Sequence, residues 1–300
     1  MMYTGLIIIL LPLIIGWLLP FHSPRLLKSV NRLLGNIVYL ILFFMGISLA
    51  FLDNLGSNLL TIFHTALISM LCILACSLGA LWLLEKRSPW QHNHRPQTLP
   101  SRWQMALESV KLCATVAAGF LLGLTHASPL RHASTASEYA LILMLFLVGI
   151  QLRGSGMTLR QVMLNRRGML VAAVSLMSAL AGGALAATLL GLPLKTGLAL
   201  ASGFGWYSLS GILMTEAFGP VMGSAAFFND LLRELFAIML IPLLVTRHRC
   251  TALGLSGATS MDFTLPILQR AGGMEIVPAA IVHGFIMSLL APILIALFSA

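Results

Sequence analysis

The chain has 300 residues, 58% of them hydrophobic and only 9% charged. A soluble domain carries about 25% charged residues, so this composition excludes a soluble globular protein and requires a polytopic membrane protein. The formal net charge of +9 does not mark a nucleic-acid binder, because the Lys and Arg residues gather in short loops between apolar runs, where they encode membrane orientation.

A membrane-crossing helix needs about 17–25 apolar residues. The first such run, 3–20 within "MMYTGLIIILLPLIIGWLLP", lacks a basic leader and a cleavage signature, and reads as a retained first span. Runs at 33–52, 59–84, 108–127, 138–153 and 169–191 follow; the 138–153 run is short, which flanking residues or local thinning can absorb. Cys72 and Cys76 lie one helical turn apart in an apolar run and read as small packing residues. With Cys113 and Cys250 they show no metal-type spacing to His, so neither metal nor cofactor is expected. "GFLLG" (119–123) reads as a site of close helix packing.

Two strong runs close the chain, 224–245 and 277–300, each preceded by an apolar segment broken by Gly, Ser, Thr and Pro, 197–219 and 252–273. If both broken segments are re-entrant, eight crossings place Arg25, Lys28, Arg32, Lys86, Arg87, Arg95 and Arg102 on one side. Arg153, Arg160, Arg166, Arg167, Arg247 and Arg249 join them, which is most of the 18 basic residues. That side is the cytoplasm, and only Arg131 and Lys195 remain in the opposite loops. Full crossings would instead move Arg247 and Arg249 outside. The expected fold is an all-α polytopic membrane protein of about eight transmembrane helices plus two re-entrant broken segments. Both termini are then expected outside, on the side opposite the cytoplasm.

Self-comparison finds two repeats. At an offset of 103, "LILFFMGISL" (40–49) lies over "LMLFLVGIQL" (143–152), and Gly79 over Gly182. Residues 1–92 and 105–194 then form two three-helix units joined by a cytoplasmic loop, 93–104, and the odd number of crossings inverts the second. At an offset of 54, Ser202-Gly203 lies over Ser256-Gly257, Gly219 over Gly273 and Ala225-Ala226 over Ala279-Ala280. Residues 195–300 then hold two units of a broken segment plus a helix. Inverted repeats with paired broken helices are a usual construction of secondary transporters, whose site lies where the breaks meet.

Irregular backbone at membrane depth survives where protein buries it or water reaches it. "ASGFGWYSLSG" (201–211) and "LSGATSMDFTLP" (255–266) therefore predict a shared cavity, with backbone N–H groups around Ser202, Gly203, Gly205, Ser208, Ser256, Gly257 and Ser260 offered to a carboxylate. Ionisable groups inside a membrane cost about 2.5–3.5 kcal/mol each on insertion scales and usually serve a function. "FFNDLLREL" (227–235) carries Asn229, Asp230, Arg233 and Glu234 in one apolar helix, where Arg233 can bridge two acids. Asp262 sits in the second break. Glu216 near the outer base of the first break and Asp53 at a helix end are further candidates for proton or ion coupling, Asp53 reading equally as a solvated helix end. His283 reads as either a packed core histidine or a proton relay. Surplus carboxylates beside half-helix N-termini describe a substrate that is cationic and also carries an anionic group, as a basic amino acid does. Sodium and proton remain open as coupling ions.

The stretches "YLILFFMGISLAFLDNL", "LNRRGM", "ASGFGWYSLSGIL", "GSAAFFNDL" and "GATSMDFTLP" resemble the bacterial lysine exporter family, LysO, over essentially the whole chain. The resemblance implies export of L-lysine and its analogue thialysine across the inner membrane, with proton antiport as the expected coupling. A channel would share the paired breaks, but its filter is usually multiplied by oligomer symmetry. A membrane enzyme would need a nucleophile–base set or metal ligands, and the chain holds no HExxH, GxSxG or Walker-type loop. An exporter of arginine or a polyamine, or a sodium/proton exchanger, is the nearest alternative.

Overall fold

The computed structural model describes residues 11, 12, 14–19, 24–51, 55–90, 102–125, 127, 130, 133–154, 165–261 and 263–300. Asp53 and Asp262 lie outside the described residues. Residues 11, 12 and 14–18 are helical, and five further helices cover the other early spans: α1 (Pro24–Ala50), α2 (Leu55–Arg87), α3 (Arg102–Gly123), α4 (Ala133–Gly154) and α5 (Arg166–Leu190). Among the described residues, four helices are long and apolar enough to cross a membrane on length and composition: 27–44 within α1, 58–87, 166–190 and 277–299. The short run at 138–153 is extended at its start, so α4 has 22 residues and spans about 33 Å at 1.5 Å per residue. Helix α5 is delimited locally. The Asn165 side chain accepts the Gly168 N–H at its start, and Gly191 takes a left-handed φ of 64° at its end, two residues before Pro193.

Small residues set the packing directions. A Cβ on Gly119 would strike the Phe43 carbonyl, and one on Gly123 would strike Ala50 and Ile47, so α1 and α3 run parallel with backbones in contact. The "GFLLG" stretch therefore packs helices. Gly16 meets the Phe146 carbonyl in the same way; Gly16 and Gly119, like Phe43 and Phe146, are 103 positions apart. Leu27 touches Gly154, which makes α1 and α4 antiparallel. Helices α2 and α5 are antiparallel as well, with Ser178 Oγ 3.4 Å from Ser77 Oγ and Gly182 against Ile73.

The first broken segment forms α6 (Leu194–Ala201) and α7 (Tyr207–Phe218). Helix α6 returns along α5, Gly197 meeting Gly183 and Ala187. Helix α7 packs antiparallel on α8 (Pro220–Leu244), with Gly211 by Phe227 and Gly223 by Thr215. The second forms α9 (Arg249–Leu255), a 3-10 turn (Gly257–Met261) and α10 (Leu265–Gly272); a further turn (Met274–Ile276) leads into α11 (Val277–Ser299). Helix α8 follows α2, the Phe63 and Phe228 rings 4.9 Å apart, and α11 follows α5, Gly168 against Ala279 and Ser175 beside His283. One end of the bundle gathers basic residues. There Arg167 Nη1 donates to the Ser88 carbonyl at 2.8 Å, and Glu85 Oε2 accepts the Cys250 N–H at 2.6 Å.

Candidate functional site

The two breaks cross in the interior. Ser202 lies at the end of α6, and the chain then turns through Phe204 and Gly205, which take left-handed φ values of 51° and 84°. Gly257, at 58°, opens the turn of the second break. Between them the Ala258 N–H donates to the Phe204 carbonyl at 3.0 Å. A Cβ on Gly257 would strike that same carbonyl, so only glycine lets the two backbones meet. Phe204 in a left-handed conformation is strained for a bulky side chain, and it is fully buried.

Helix α8 braces the first break. Asp230, wholly buried, accepts three hydrogen bonds at Oδ1: from the Gly205 N–H at 3.1 Å, Asn229 Nδ2 at 3.2 Å and Arg233 Nη1 at 3.4 Å. Asn229 Nδ2 also reaches the Leu200 carbonyl at 3.4 Å, while its Oδ1 accepts nothing. Gly203 leaves the space that Asp230 Oδ2 and Ser210 occupy. Glu234 is 3% exposed on the same helix. An ion pair joins Arg233 to Asp230 at 3.4 Å. Asp230, Arg233 and Glu234 are three buried ionisable groups on one helix, the setting in which membrane proteins pair charges with one another.

Helix α11 braces the second break with different chemistry. Ser260 Oγ donates to the Ala280 carbonyl and lies 2.9 Å from His283 Nδ1, whose Nε2 lies 3.4 Å from Ser175 Oγ. His283 stands 54 positions after Asn229, and Gly284, which lets α11 approach Ser260 and Met261, stands 54 after Asp230. Gly219 and Gly273, also 54 apart, end their helices with nearly equal angles, φ 85°, ψ 171° and φ 84°, ψ 173°. Ser202 Oγ and Ser256 Oγ each bond back to the carbonyl four residues before, Leu198 and Ala252. Those hydroxyls are therefore engaged within their own helices, and Ser208 is buried at the start of α7.

The crossing thus gathers Ser202, Gly203, Gly205, Asn229, Asp230, Ser256, Gly257 and Ser260. Glu216 is elsewhere, exposed near the outer end of α7, about 16 Å along the chain from the break at helical rise. Among the described residues no cluster of three or more His, Cys, Asp or Glu could hold a metal ion. Sequence reasoning did not single out Glu85, and it placed Arg249 among the cytoplasmic loop residues. Arg249 is 1% exposed, donates Nη2 to the Gly272 carbonyl, lies 3.7 Å from Glu275 and stacks 5.6 Å from the Trp90 ring. It therefore ties the start of the second broken segment to its end.

Comparison with known proteins decides the family. The profile described as "Lysine exporter LysO" matches residues 113–299, more than half of the chain. The Lysine exporter LysO of Escherichia coli (strain K12) is 65% identical over 299 residues, covering 100% of both chains. The chain belongs to the lysine exporter LysO family. A protein of Haemophilus influenzae (strain ATCC 51907 / DSM 11121 / KW20 / Rd) named "Putative lysine exporter" is 45% identical over 190 residues, 63% of this chain and 97% of its own. No solved structure matches. Family membership and the long apolar helices make this a membrane protein of a transporter family.

Proposed function

We propose that the chain exports L-lysine, and its analogue thialysine, across the bacterial inner membrane, holding the amino acid at the crossing of the two breaks. The observation that carries this reading is the Phe204–Ala258 contact beside the buried Asp230 and Glu234, in a chain whose full-length relative is named a lysine exporter. Backbone N–H groups at the breaks serve the carboxylate once released from the partners they hold in this structure, as Asp230 holds the Gly205 N–H, and Asp230, Glu234 and Asp262 serve the ammonium groups. Proton antiport is the proposed coupling, the Asp262 carboxylate exchanging a proton for an ammonium group.

Re-entrant segments are supported by two arrangements. Helix α6 enters along α5 while α7 returns along α8, and Arg249 holds the Gly272 carbonyl beside the start of the second segment. Inverted units are supported by the antiparallel pairing of α2 with α5 and by the parallel pairings that carry this sense to α8 and α11. Basic residues at one end support a cytoplasmic face there and periplasmic termini.

The test is efflux of labelled lysine from proteoliposomes, with and without an imposed proton gradient. Saturable, gradient-dependent movement that arginine, a polyamine or sodium does not match supports the reading; unsaturable movement means a pore. Asp262→Asn should abolish efflux while leaving insertion intact, because the change relieves a desolvation cost. Normal export by that variant removes Asp262 from the mechanism.

A further inference from the structure

A groove on the outside of the bundle carries a second ligand chemistry. Leu78, Gly79 and Trp82 of α2 face Leu244, His248 and Thr251 across an open cavity of about 310 Å³ with a mostly apolar lining. Gly79 creates it. A Cβ there meets nothing within 4 Å, whereas Gly182, 103 positions on, is pressed against the Ile73 backbone. The place that protein fills at Gly182 is unfilled at Gly79, and an apolar wall without partner atoms forfeits its dispersion contacts. Such a wall suits hydrocarbon and rejects the charged ends of an amino acid, so this is not the transported substrate's site.

The mouth of the groove supplies charge. Trp82 is half exposed, and Lys86, one turn further along the same helix stripe, lies 3.6 Å from its ring centroid. Exposed Arg247 stands in the turn between Leu244 and His248. The acids at this end are committed elsewhere, Glu85 to the Cys250 N–H and Glu275 to Arg249. Tryptophan and lysine together mark the depth of the lipid headgroups, and basic pockets between helices bind anionic headgroups.

We propose that this groove is a binding site for one anionic glycerophospholipid, an acyl chain lying along Gly79 and the phosphate held by Lys86 and Arg247. The site is independent of what the protein exports. Its wall includes Thr251 of α9, the helix that leads into the second break, so the lipid touches the element that the crossing depends on.

The full-length protein in phosphatidylethanolamine vesicles tests this, with brominated phosphatidylglycerol or brominated phosphatidylethanolamine added at matched mole fractions. The Trp82 signal is the fluorescence difference from Trp82→Phe. Each basic residue near a lipid surface is worth about fivefold in affinity, so brominated phosphatidylglycerol should half-quench Trp82 at a mole fraction at least fivefold lower. Lys86→Gln with Arg247→Gln should bring the two curves together, and Gly79→Leu, which fills open space, should weaken quenching by either lipid. Equal quenching in the wild type overturns the proposal, as does a preference that the charge variant leaves unchanged. Quenching by neither lipid also overturns it, since protein, such as a second copy of the chain, then covers the groove. If Gly79→Leu fails to reconstitute, the charge variant decides alone.

Discussion

The carbonyl of Phe204 accepts the N–H of Ala258 at 3.0 Å, and these residues stand 54 positions apart, the interval that also relates Gly219 to Gly273 and Asn229 to His283. The chain therefore touches itself at positions that this same interval relates. The contact joins the two irregular stretches, which a membrane tolerates only inside protein.

Gly257→Val is the direct test of the crossing. The new side chain would strike the Phe204 carbonyl and sit at φ 58°, costing about 1–2 kcal/mol for the left-handed backbone and about 1–3 kcal/mol for overpacking. Lysine efflux should fall below a tenth of wild type while the protein still inserts. Efflux above half of wild type would separate the crossing from transport.

Asp230→Asn should destabilise the protein by leaving Arg233 without its ion-pair partner. Breaking a buried pair from one side costs about 3–5 kcal/mol. Melting in detergent should drop by roughly 6–20 °C at about 2–4 °C per kcal/mol. The double variant Asp230→Asn with Arg233→Gln should recover most of that loss without recovering efflux. A single variant that melts like the wild type shows that the pair contributes no stability.

Glu85→Ala removes the acceptor of the Cys250 N–H. A buried donor left alone costs about 1–3 kcal/mol, and the start of α9 should loosen from α2. In a variant whose only cysteine is Cys250, buried here, maleimide labelling should speed up several-fold. An unchanged labelling rate would mean that this bond does not hold α9 in place.

Much of the fold was legible because hydrophobic length dictates it, and both breaks were legible because Gly and Ser interrupt otherwise continuous apolar runs. The 54-residue offset, legible in the sequence from Ser202-Gly203 and Ser256-Gly257, also sets His283 opposite Asn229. Arg249 and Glu85 escaped for the opposite reason. A charge at the end of an apolar run reads as solvated, and only the return of the chain at Gly272 and the approach of α9 to α2 bury them. Such long-range closures leave no local pattern. Ser202 and Ser256 were read for their backbone N–H groups, and the sequence does not reveal that the fold spends these, along with the hydroxyls, on carbonyls of α6 and α9.

Gly119 against Phe43 and Gly16 against Phe146 differ from Gly35, where a Cβ meets nothing within 4 Å. Gly119→Leu and Gly16→Leu should each lower the melting temperature by several degrees, since overpacking costs about 1–3 kcal/mol. Gly35→Leu should leave it unchanged or raise it slightly, a helix-interior Gly being about 1 kcal/mol worse than Ala. Equal melting of all three variants would contradict the backbone contacts.

Those contacts have a mechanical consequence. Where α1 meets α3, and where residues 14–18 meet α4, glycine lets main chain lie against main chain. No side chain stands between the helices there to change rotamer and absorb a larger neighbour, so bulk added at Gly16 or Gly119 must be taken up by moving a whole helix.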